Sequence, residues 1–257
     1  MAALLELDHL SRRFGGLQAV DDFSGAIQRG ERVGLIGPNG AGKTTLFNLI
    51  TSFTPVSGGT VRFNGELITG RKPHEVARLG IARTFQNLRI LPNITVFDNV
   101  SIGALGTIGH SPWNSLLGRD AVSSRISELS WQALERTGLA RQAGLLAANL
   151  SYGRRKYLEI ARALALQPRL LILDEPAAGL NDTETAELAR FVRQLSEEGL
   201  TVLLVEHDMG FVMSLCERVM VMASGRKIAD GTPAQVSHDP VVLEAYLGTE
   251  EEEEAAA

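Results

Sequence analysis

The sequence predicts an α/β fold: a parallel sheet covered by helices on both faces, an antiparallel sheet packed beside it, and a helical insertion. Three observations carry this reading. Short apolar runs bounded by glycine or charge alternate with helical patterns: RVGLIG (32–37) with TTLFNLI, LLILDE (170–175) with TETAELARFVRQL, TVLLVEH (201–207) with DMGFVMSLC. Such alternation builds a parallel sheet. The amino-terminal stretch instead strings strands together, LLELDHLSRRF, AVDDFSGAI and then GGTVRFNG, with turn residues between them. Between residues 87 and 165 the strand signal stops, and TVFDNVSIGAL, DAVSSRISELSWQALERTG and SYGRRKYLEIARALA show helical periodicity.

A chain of 257 residues suits one large α/β domain with an inserted subdomain. We expect one domain over 1–247, its helical subdomain at about 87–165, and an acidic, disordered tail over 248–257. The net charge of −5 equals that of the run Glu250 to Glu254, so the body is electrically balanced. A balanced body argues against duplex DNA as the main partner. The only cysteine, Cys216, lies among Met213, Leu215 and Val219, which marks it as a small buried hydrophobe and excludes a disulfide fold. The start reads as no signal peptide, and no run reaches the 18 or so apolar residues of a membrane helix, so any membrane role is expected to be peripheral. Within the insertion, GTIGHSPWNSLLGR (106–119) reads as an irregular loop, with Trp113 and Leu116 as candidate anchors for a partner.

The segment GPNGAGKTT, Gly37 through Pro38, Asn39, Gly40, Ala41, Gly42, Lys43 and Thr44 to Thr45, follows a strand and opens a helix. That context is what the GxxxxGK[ST] pattern requires. The glycines let backbone wrap a triphosphate, and amides at the helix start face the anion with the helix dipole behind them. Lys43 would bridge the β- and γ-phosphates of ATP, and the Thr44 hydroxyl would coordinate Mg2+. A match arising from an ordinary glycine turn is made rarer by the presence of only four lysines in the chain.

LLILDE ends a strand in two carboxylates at the sheet edge where open α/β folds bind ligands. Asp174 would hold Mg2+, and Glu175 would polarise the attacking water. His207 ends the next apolar strand at the same expected edge, near the γ-phosphate. Gln86, in IARTFQN, follows a further strand and could reach Mg2+ or the water. Taken alone, His207 and Gln86 are each more ordinary as solvated or structural residues.

LSYGRRKYLEIARAL (150–164), placed between the phosphate loop and the paired carboxylates, resembles the signature of ATP-binding cassette (ABC) ATPases. The resemblance covers nearly the whole chain and implies a RecA-like P-loop core with an antiparallel subdomain and a helical subdomain. It implies that Ser151 and Gly153 touch the γ-phosphate held by a second ATPase subunit, in a head-to-tail pair with ATP at each contact. By the same likeness, Phe14, 23 residues before Gly37, stacks on adenine; from the residue alone it is equally a core phenylalanine. Gln86 matches the Q-loop and His207 the switch histidine. RFGGLQAV, RTFQN, EPAAGLN, VEHDM and AYLG are similar to the longer ATPase of branched-chain amino acid importers.

Such a likeness implies a peripheral position on the cytoplasmic face of the cell membrane. The implied partners are two integral-membrane permeases, a second ATPase, identical or homologous, and an external solute-binding protein, with no nucleic acid. Related transporters of urea, amides or lipopolysaccharide, and soluble ABC ATPases without a permease, share these motifs. Tyr152, Arg154 and Asn181 depart from the general family pattern of glycine, glutamine and D-loop aspartate; little loss of hydrolysis is expected from the first two.

Overall fold

Apolar residues on one side of the pleat give the amino-terminal strands a buried face. In β1 (Leu5–Phe14) these are Leu5, Leu7 and, past a register shift, Leu10, and in β2 (Leu17–Ile27) they are Val20 and, past the next shift, Phe23 and Ile27. The two strands form an antiparallel pair, and β4 (Gly58–Phe63) with β5 (Glu66–Leu67) extends the sheet in the order β2-β1-β4-β5. In this computed structural model residues 3–107 and 118–246 are described. The expected acidic tail, and Trp113 and Leu116 of the expected loop, lie outside them.

The described residues group into two compact units: His74–Glu184, and a second unit made by the segments on either side of it. The flanking segments hold the antiparallel sheet and a set of strands centred on β3 (Arg32–Ile36). β3 pairs in parallel with β8 (Thr201–Val205) on one side and β9 (Arg218–Ala223) on the other, and β10 (Arg226–Gly231) closes antiparallel on β9. Every residue of β8 and nearly every residue of β3 is buried, as a parallel strand covered on both faces must be. Four helices accompany these strands: α1 (Lys43–Ile50), the greater part of α6 (Asp182–Glu197), α7 (Met209–Leu215) and α8 (Pro233–Val236). A further helical segment runs over residues 240–246.

The β9–β10 hairpin has no counterpart among the expected elements. RVMVMA mixes two methionines into a β-branched run, which blurs it into the helix before it. The readable signal was the Ser224-Gly225 pair, whose φ angles of 47° and 81° make the two-residue hairpin turn.

The unit over His74–Glu184 takes in most of α2 (Pro73–Arg78) and pairs β6 (Ile81–Arg83) in parallel with β7 (Leu170–Asp174). Between them lie α3 (Val96–Leu105), α4 (Gly118–Arg136) and α5 (Tyr152–Leu164), packed against one another. All three fall inside the range 87–165. Phe97 and Trp131 pack with ring centroids 5.2 Å apart, and Ser101 bonds Ser130 at 3.1 Å. α3 and α5 meet so closely at Gly103 that a Cβ there would stand 2.0 Å from the Arg162 carbonyl oxygen.

Candidate active site

The loop after β3 is shaped by two glycines that no other residue could replace. A Cβ on Gly37, at φ 152°, would lie 1.9 Å from the Met222 carbonyl oxygen, and one on Gly42, at φ 101°, would lie 2.3 Å from that of Ala19. Gly42 is also the N-cap of α1, with no side-chain cap, and no acidic residue stands in the first turn. The helix start therefore keeps its positive end for an anion, which fits phosphate. Lys43 is buried and its Nζ donates to the carbonyls of Gly37 at 2.6 Å and Pro38 at 2.8 Å, folding the ammonium across the loop. Thr44 is exposed on the first turn.

Two residues expected near this loop belong to the same unit. Phe14 ends β1 with 45% of its surface exposed, and Arg12 Cζ lies 4.4 Å from its ring centroid. The exposure answers the question left open by its residue type: Phe14 is no core side chain. His207 is exposed just past β8, with its backbone N–H donating to the Glu206 carboxylate at 3.2 Å. Tyr246 was not anticipated. Burial holds its phenol above the usual range, while the Gly37 amide N–H is directed at the phenol oxygen. The AYLG phrase contained this residue, but nothing in its pattern pointed to the phosphate loop.

The other predicted residues gather in the His74–Glu184 unit. Asp174 ends β7, and its Oδ2 accepts from Arg83 at 2.7 Å, both side chains being 5% exposed. Glu175 follows in left-handed backbone, φ 48°, a strained conformation for a residue with a side chain. Its Oε2 accepts from Gln86 Nε2 at 2.8 Å, which brings these two predicted residues together. Ser151 caps α5 by accepting from the Arg154 N–H at 3.4 Å. Gly153 is buried, and a Cβ there would stand 2.7 Å from Glu184 Oε1. Asn181, one of the departures, serves locally as a helix cap. Its Oδ1 accepts from the Glu184 N–H at 3.0 Å while Glu184 Oε2 accepts from the Asn181 N–H at 3.1 Å. This reciprocal cap of the helix start contributes about 1 kcal/mol.

Sequence reasoning also missed Arg83, Lys156 and Glu159. Lys156 and Glu159 are each 3% exposed on α5. No local sequence pattern marks either residue; their burial in the fold does, since such groups are rarely buried without partners.

The class of protein follows from the units taken separately. A phosphate loop of this build binds a nucleoside triphosphate, and a serine-capped signature helix preceding the paired carboxylates in one chain is the mark of an ATP-binding cassette. The ABC transporter family model matches residues 20–178, and a model of the branched-chain amino acid ATP-binding cassette transporter matches residues 226–252. The chain belongs to the ABC transporter family, as an ATPase. It is 42% identical over 249 residues to the high-affinity branched-chain amino acid transport ATP-binding protein BraF of Pseudomonas aeruginosa, covering 95% of this chain and 98% of that one. The corresponding LivG protein of Escherichia coli is 41% identical with the same coverage. Among solved structures, a nucleotide-free ABC transporter cassette superposes with a TM-score of 0.85 at 33% identity, covering 95% and 99% of the two chains. An ADP-bound cassette gives 0.84 at 34% identity, covering 96% and 100%.

Proposed function

We propose that this chain hydrolyses MgATP to drive import of branched-chain amino acids, from the cytoplasmic face of the cell membrane. The observation that carries the chemistry is Glu175, held in strained backbone with its carboxylate gripped by Gln86. The substrate class rests on the likeness to the BraF and LivG proteins.

The residues divide the work. Amides of Gly40 to Thr45 and the Lys43 ammonium take the phosphates, and Phe14 offers its exposed ring to adenine. Among the described residues no group of three or more His, Cys, Asp or Glu could hold a metal. A cation that takes most ligands from phosphate and water fits such a chain, which is the habit of Mg2+. By the family likeness Thr44, Gln86 and Asp174 are its proposed protein ligands; held by them, it would neutralise charge on the β- and γ-phosphates. Arg83 holds one oxygen of Asp174, which orients that carboxylate inside the fold. Glu175 orients the attacking water, and His207 contacts the γ-phosphate side. Ser151 and Gly153 act on the nucleotide of a second ATPase subunit. Two permeases and an external solute-binding protein complete the assembly.

Glu175→Gln tests the assignment. The variant is expected to bind MgATP with unchanged affinity and to lose turnover by about 100-fold or more, read as phosphate release. Release at the wild-type rate would refute the role given to Glu175.

A further inference from the structure

α5 does more than present Ser151 and Gly153. Its second turn carries Lys156, 3% exposed, whose Nζ donates to the Glu175 carbonyl oxygen at 3.1 Å. A buried ammonium is costly to desolvate and persists only where its hydrogen bonds are well made. One turn back, Tyr152 lies on the same side of the helix, with Lys156 Nζ 5.8 Å from its ring centroid. The Tyr152 hydroxyl donates to the Ala178 carbonyl at 3.3 Å, and a Cβ on Gly179 would stand 2.9 Å from its ring. The turn from Glu175 to Gly179 is thus held at both ends by α5.

The same helix also holds the loop that carries Gln86. Glu159 accepts from the Phe85 N–H at 3.2 Å, and the Arg162 guanidinium donates to the Arg89 carbonyl. Gln86 in turn donates to the Glu175 carboxylate. Backbone and side chain of Glu175 are therefore both referred to one rigid element, α5. A left-handed glutamate keeps its conformation only where its surroundings over-determine it, and these contacts supply that.

Resting on the function proposed above, we infer that Lys156 is a positioning residue: it ties the Glu175 turn to the helix whose amino end, through Ser151 and Gly153, meets the partner subunit's nucleotide. Occupancy of one site thereby sets the aim of the hydrolytic carboxylate that serves the other. The departure Tyr152 belongs to the same linkage, through Ala178 and Gly179.

The test compares the 257-residue chain with Lys156→Met, Lys156→Arg and Glu175→Gln, measuring phosphate release against MgATP concentration alongside nucleotide binding. Wild-type turnover and its loss in Glu175→Gln are read first; if either fails, it is the ATPase reading that falls. With both in place, Lys156→Met is expected to lower kcat about tenfold or more while KM and binding stay within about twofold, since small misplacements of a catalytic group cost rate rather than affinity. The Hill coefficient for MgATP is expected to fall toward one, and Lys156→Arg is expected to restore most of kcat. Should the Met variant not fold, Lys156→Gln, whose donor is one bond too short, takes its place. A folded variant with kcat within about twofold of wild type overturns the inference, as does a parallel loss of binding and turnover that arginine does not rescue.

Discussion

Glu175 and Cys216 show how far burial and backbone geometry decide what a side chain can do. The left-handed backbone of Glu175 costs on the order of 1–3 kcal/mol, a cost carried by the contacts from Lys156 and Gln86. Cys216 is the opposite case. It is 7% exposed, and burial pushes its thiol up to about 12. The nucleophilic thiolate forms only as pH approaches that value, so at pH 8 the native protein is expected to resist iodoacetamide, alkylation following unfolding alone. Mass spectrometry with and without denaturant reads this directly; rapid labelling of the folded chain would contradict it. The inert thiol was legible from its apolar neighbours. Lys156 was not, because a lysine in an otherwise amphipathic helix ordinarily belongs to the solvated face.

At the scale of elements, the β6–β7 pair is pinned by the Arg83–Asp174 ion pair, almost wholly excluded from water. Removing one partner strands the other charge, so Arg83→Met is expected to cost about 3–5 kcal/mol of stability, measured by urea unfolding. A loss below about 1 kcal/mol would mean that the carboxylate is better solvated than its burial indicates. The strands that carry the motifs were readable because β3, β7 and β8 are short, largely apolar runs with candidate site residues at or just past their carboxyl ends. The three helices of the insertion were readable from their period. β9 and β10 were not, since methionine suits either structure and the hairpin turn offers only Ser224-Gly225 as a mark. Phosphate loop and carboxylates could be named from spacing, whereas the contacts that hold them, Arg83 on Asp174 and α5 on Glu175, join residues distant in sequence that no local pattern connects.

For the whole molecule, charge is balanced outside the acidic run, and no helix among the described residues is long and apolar enough to cross a membrane. In the function proposed above, the chain contributes ATP-driven closure against a partner ATPase, a shift that a membrane protein can exploit only if nucleotide favours one state over the other. The most direct measurement is capture of tagged Glu175→Gln protein with MgATP from gently solubilised native membranes, with mass spectrometry of its companions. The account predicts two integral-membrane permeases, an ATPase partner and a solute-binding protein selective for branched-chain amino acids. Recovery of soluble proteins alone, with no permease, would contradict the transport role.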